Sequence, residues 1–245
     1  MEKLIRRRGK AQIEARSLVQ ATDADLDLIA RYIPEGFARP TAADVYVASA
    51  LVCNDLVDHY STRFTREALD QIVPLMLGAD IMRNHVDYGA EALPIARIFD
   101  ADQVEVRGQG AKDGCYDRMR FYWERGTQFG DEMAKKVGLA LWREVSLSWW
   151  MRSFTNSIDG RPMKDSPYYA GQEMPDGTVV IGIMSDIVEV NEVSIVARGG
   201  QKHTQVNAVR ADGRGDDVLE LIASARARVT QVDEQSKGLG KFFKR

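Results

Sequence analysis

His85 and Ser146 are the residues of this chain best suited to chemistry. His85 lies in Met82-Arg83-Asn84-His85-Val86-Asp87, and Ser146 lies downstream in Arg143-Glu144-Val145-Ser146-Leu147-Ser148-Trp149. A serine hydroxyl is a useful nucleophile at neutral pH only when a base such as imidazole takes its proton. The chain has three histidines, so few residues can hold that role. His59, in Val57-Asp58-His59-Tyr60, and His203, in Gln201-Lys202-His203-Thr204, are as suitable on local grounds. No two histidines stand at zinc-ligand spacing, so no metal and no cofactor is expected. Cys115 could replace serine as nucleophile, but its flanks carry no sign of activation.

The element that must carry Ser146 is a strand over Arg143–Phe154. Side chains alternate faces along a strand. Ser146, Ser148 and Trp150 then share one face, and Val145, Leu147 and Trp149 share the other. The apolar set packs into a core, while both serines point toward a cleft or solvent. A strand is a good mount for a nucleophile because ladder hydrogen bonds hold its backbone. Serines on such a face are also simply the polar side of an amphipathic strand.

The rest of the chain supplies the elements around it. Helical spacing covers Asp23–Tyr32, ended by Pro34-Glu35-Gly36. Asp44–Val52 is rich in β-formers and reads as a buried strand. Thr65 caps a helix with Leu69, Ile72, Val73 and Met76 on one face, kinked by Pro74 and stopped by Gly78. His85 stands in a loop or short strand. Leu93–Phe99 and Gln103–Arg107 read as two strands, the turn Gly108–Gly114 follows, and Cys115–Glu124 is the next strand. Gly126–Leu141 is a helix facing Phe129, Met133, Val137 and Ala140 inward. Residues 155–177 form the longest irregular stretch, and Val179–Val196 is one bent strand or two. A linker at Ala211–Asp216 precedes a C-terminal helix over Val218–Val232. The sum is an α+β fold, a mostly antiparallel β-sheet or barrel with helices inserted between strands.

Composition narrows the function classes. At 245 residues, with 44% hydrophobic and 28% charged residues, the chain is long enough to bury a sizeable core. A net charge of −3 argues against nucleic acid as the main partner. Cys53 and Cys115 form neither a disulfide framework nor a CxxC motif, which fits a reducing compartment. No apolar run is long enough for a membrane helix, and the basic start lacks the apolar run of a signal peptide. A cytoplasmic location is expected. Basic residues crowd both ends, Arg6, Arg7, Arg8 and Lys10 at one and Lys237, Lys241, Lys244 and Arg245 at the other. They read as solvated tails or as docking or trimming segments.

The motifs, taken in order, resemble the prohead (procapsid maturation) serine proteases of tailed bacteriophages, a family related to the herpesvirus assemblins. The resemblance runs from Val45 to Val196, about three-fifths of the chain. It is carried by Asn54-Asp55-Leu56-Val57-Asp58 with Arg63-Phe64-Thr65-Arg66-Glu67-Ala68-Leu69. It continues in Asn84-His85-Val86-Asp87 with Leu93-Pro94-Ile95-Ala96-Arg97-Ile98, then in Val145-Ser146-Leu147-Ser148-Trp149. It closes on Val190-Asn191-Glu192-Val193-Ser194-Ile195-Val196. The chain departs from the family at Ser148 and Ala96, where the family has glycine, and in Ala197-Arg198-Gly199-Gly200, where a Pro-Ala pair is usual.

The resemblance implies an assemblin-like fold, with Ser146 as nucleophile, His85 as general base and Glu192 as the acid that orients it. Asp186 and Glu189 lie close to that acidic place, and the assemblin branch, which uses a second histidine, points to His203. Ser148 is the rival nucleophile. Arg198-Gly199-Gly200 could donate to an oxyanion, although Gly-Gly also simply makes turns. The implied organisation is a polar basic leader over 1–22, a protease domain over 23–210, and a linker, helix and basic tail over 211–245. The implied substrates are phage scaffolding protein and major capsid protein, cut inside the procapsid in the host cytoplasm. Self-association and self-processing are implied too, with Arg210–Arg214 and the tails as candidate cleavage regions. The alternative is a catalytically inactive structural phage head or tail protein of the same fold.

Overall fold

A computed structural model of the chain describes residues 5–8, 11–12, 20–86, 92–106, 114–139, 141–142 and 144–196. Arg107, residues 108–113 of the expected turn, Ala140, Arg143, Arg198-Gly199-Gly200, His203, the linker over 211–216, the C-terminal helix and the C-terminal basic residues lie outside the described residues.

The described elements are, in chain order, β1 (Ile5–Arg8), β2 (Ala11–Gln12), α1 (Asp23–Ala30), β3 (Val45–Asn54), β4 (Thr62–Phe64) and α2 (Arg66–Met76). They continue with β5 (Asp80–Arg83), β6 (Ala96–Val106), β7 (Gly114–Glu124), α3 (Gln128–Gly138), β8 (Glu144–Asn156) and β9 (Gly182–Val196). The strands form one curled, half-barrel sheet in the order β1-β8-β9-β5-β6-β7-β3, with β2 beside β8 and β4 beside β9. All pairings are antiparallel except those of β4 and β5 with β9. The architecture is thus α+β and mostly antiparallel. No helix among the described residues is long and apolar enough to cross a membrane.

Helix starts follow local chemistry. The Thr65 side chain accepts from the Ala68 N–H and opens α2, and Thr127 does the same for Gly130 in α3. Each cap satisfies a donor the first turn leaves unpaired. Pro74 lies inside α2, and Gly78, at φ 79°, takes the left-handed turn beyond its end. The buried face of α2 holds Ala68, Leu69, Ile72 and Met76, not Val73. It packs against β9, β6 and β7. Its core partners include Phe64, Val145, Leu147, Trp149, Val193 and Ile195. Each such side chain stabilises by about 1.5–3 kcal/mol. The backs of β8 and β9 are therefore held by the main core, which fixes whatever their other face carries.

Other expectations about the elements change as well. Residues expected in a solvated leader form β1 and β2, antiparallel to β8, so the sheet begins ahead of residue 23. The edge of β8 away from β9 presents unpaired backbone groups, and a paired strand satisfies them whatever its side-chain polarity. The two strands expected over 93–107 are one, β6, with a register irregularity between Ile98 and Asp100. Its polar middle stays in the sheet because Asp100 and Asp102 lie opposite Arg120 and Arg118 of β7 and pair with them. In α3, Met133 and Val137 face inward, but Phe129 is exposed near the helix start.

Candidate active site

The site is built where β5 runs out beside β9. Met82 lies opposite Ser194 and Arg83 opposite Ile195 in that parallel pair. The Asn84 N–H donates to the Ile195 carbonyl at 3.0 Å, so β9 still guides the chain past the end of β5. Asn84 and His85 then both adopt left-handed backbone, at φ 58° and 57°. Two consecutive non-glycine residues in that region are costly, although asparagine and histidine tolerate it better than most. The turn aims the imidazole back over the β8–β9 pair.

Across that pair Ser146 lies opposite Ser194, and Ser148 opposite Glu192. Strand alternation therefore puts all four polar side chains on the face away from the core. The His85 ring bridges two of them. Its Nε2 lies 2.6 Å from Ser146 Oγ and its Nδ1 lies 2.6 Å from Glu192 Oε1. An ionised carboxylate can only accept, so Nδ1 carries the proton and donates it. That leaves the Nε2 lone pair to accept the Ser146 hydroxyl hydrogen.

A fourth side chain completes the network. The Ser194 hydroxyl donates to Glu192 Oε2 at 2.7 Å and accepts from the His85 backbone N–H at 3.0 Å. Sequence reasoning assigned Ser194 no role. The available signal was its spacing from Glu192, since residues two apart on a strand share a face.

Ser146 and Ser148 are both fully buried, not open to a cleft or solvent. The reason is tertiary. The His85 ring meets Ser146 and Asn191 of β9 meets Ser148, so the polar groups on that face satisfy one another. The structure brings Ser146 to His85, whereas Ser148 Oγ accepts from Asn191 Nδ2 at 3.3 Å. Among the acids, Glu192 meets the ring. Asp186, at φ 55°, stands 3.6 Å from Arg152, and Glu189 is exposed opposite Trp150. His59 is exposed in a loop. Burial pushes the Cys115 thiol up to about 11, which keeps it un-ionised and unreactive.

The chemistry available here is proton transfer from a hydroxyl to an imidazole held by a carboxylate. Such an arrangement can generate an alkoxide nucleophile for acyl transfer. Comparison of the chain with known protein families, with curated proteins and with solved structures finds no match.

Proposed function

We propose that this chain is a serine endopeptidase of the prohead-protease type, with an assemblin-like fold, that cleaves scaffolding and capsid proteins during bacteriophage procapsid maturation. The observation that carries the hydrolytic part is the His85 ring bridging Ser146 Oγ and the Glu192 carboxylate at 2.6 Å on each side. The phage part rests on the ordered motifs from Val45 to Val196. Ser146 Oγ attacks the peptide carbonyl as its proton passes to His85 Nε2. Glu192 stabilises the imidazolium so formed without taking its proton. His85 returns the proton to the leaving amine, and water then hydrolyses the acyl-enzyme. The enzyme acts inside the procapsid in the host cytoplasm, associates with copies of itself there, and processes its own chain.

The burial of Ser146 bears on regulation. A covered hydroxyl suits a zymogen that opens on assembly, since early cleavage would ruin the particle. It also suits the second reading, a structural head or tail protein that never turns over a substrate. A fluorophosphonate probe separates them in particles assembled with the chain's own scaffold and capsid proteins. The enzyme reading expects labelling that disappears in Ser146→Ala, together with uncut scaffold and capsid protein in that variant. Absence of wild-type labelling, or normal processing with Ser146→Ala, refutes it.

A further inference from the structure

We propose that Ser194 is a positioning residue of this site, its hydroxyl locking the Glu192 carboxylate to the backbone of the His85 turn. The inference rests on the hydrolytic reading above. Ser194 is fully buried, and its hydroxyl makes its two hydrogen bonds to the two partners of the imidazole's geometry. One is the acid that holds the ring. The other is the backbone from which the ring projects.

Each bond removes a specific freedom. The last torsion of a glutamate side chain is broad, with no sharp staggered minimum. With Oε2 held by Ser194, Oε1 stays on the line to His85 Nδ1. The His85 N–H, in a turn of two left-handed residues, has the Ser194 hydroxyl as its acceptor. Such backbone persists only where its surroundings over-determine it. The Asn84 N–H bond to Ile195 O holds the residue before, and Ser194 holds His85 itself. Ser194 also lies directly opposite Ser146, so the residue that sets the base is registered against the nucleophile by the β8–β9 ladder.

In Ser194→Ala the strand and its core face remain, while acid and turn lose their common tie. The rate of Ser146 acylation by a fluorophosphonate should fall roughly ten- to a hundred-fold, the scale set by losing a hydrogen bond to a charged group. For peptide cleavage the loss should appear in kcat, with KM little changed, because Ser194 touches no substrate. Ser194→Thr keeps the hydroxyl and should recover most of the rate. The direct readout is the strongly downfield proton NMR signal of His85 Nδ1–H hydrogen-bonded to Glu192. It should be sharp in the wild type and in Ser194→Thr, and broadened or lost in folded Ser194→Ala. If Ser194→Ala keeps both wild-type acylation and the NMR signal, the proposal is overturned. It is also overturned if acylation falls only in proportion to unfolded protein measured by circular dichroism. If the wild type itself is never labelled, the enzyme reading fails separately, and the NMR signal alone then decides the role of Ser194.

Discussion

Glu192 on β9 and Asp117 on β7 are two buried carboxylates of one sheet, 5% and 0% exposed, and they are built for opposite ends. Glu192 accepts from a ring N–H at 2.6 Å and from a hydroxyl at 2.7 Å. Asp117 Oδ2 faces the Cys53 thiol, a weak donor, at 3.2 Å. Burial pushes the Asp117 carboxyl up to about 8, and the hydrogen bonds from Cys53 and Gln103 oppose it without prevailing. Asp117 is therefore a neutral, proton-bearing group through much of the neutral range. Burying an acid does not make a site. What matters is whether donors and a titratable partner meet it.

The contrast is tested most sharply by making the same isosteric change in both places. On the proposed mechanism Glu192→Gln removes the charge that stabilises the imidazolium, and Ser146 acylation should fall on the order of 10³–10⁴-fold. Asp117→Asn should leave that rate near wild type. Stopped-flow or gel-based labelling measures both, and an equal loss in the two variants would show that the two carboxylates do not differ in role.

The next effect is on stability. The folded chain holds the Asp117 proton more tightly than the unfolded chain, where an aspartate titrates near 4. The folded state thus binds more protons across the interval, and stability falls as pH rises from about 4 to about 8. Urea unfolding at pH 5 and pH 8 should show a loss of a few kcal/mol in the wild type. Asp117→Asn should be flatter over the same range, and an unchanged slope in that variant would assign the loss to other groups.

Smaller effects probe the turn and the second serine. Asn84→Ala places a residue with no polar side chain at φ 58°, and should cost about 1 kcal/mol by thermal unfolding. No loss would show the turn to be unstrained. Ser148→Ala removes one hydrogen bond, from Asn191, worth about 1 kcal/mol or less, and should leave acylation near wild type. A collapse of labelling in Ser148→Ala would transfer the nucleophile role from Ser146.

Much of this was legible beforehand, for identifiable reasons. The cap at Thr65, the apolar face of α2 apart from Val73, and the alternation of β8 are local patterns, and each appears where local chemistry places it. β6 was legible in part, since Asp100 and Asp102 look like a break until Arg118 and Arg120 stand opposite them. β1 and β2 were not legible, because a strand recruited by an open edge needs no apolar signature of its own. In the site, His85, Ser146 and Glu192 could be named from motifs. Neither the left-handed turn at Asn84-His85 nor the Ser194 bridge carries a distinctive local signal.

The amino-acid order by itself determined which groups could donate, accept or attack, and which face of each strand carried them, since residue type and strand period are properties of the chain alone. Only the folded molecule decided that position 146 lies opposite position 194, that a turn from another strand brings an imidazole over them, and that the assembly is covered. Register between strands distant in sequence is set by the whole packed sheet, and no local pattern encodes it.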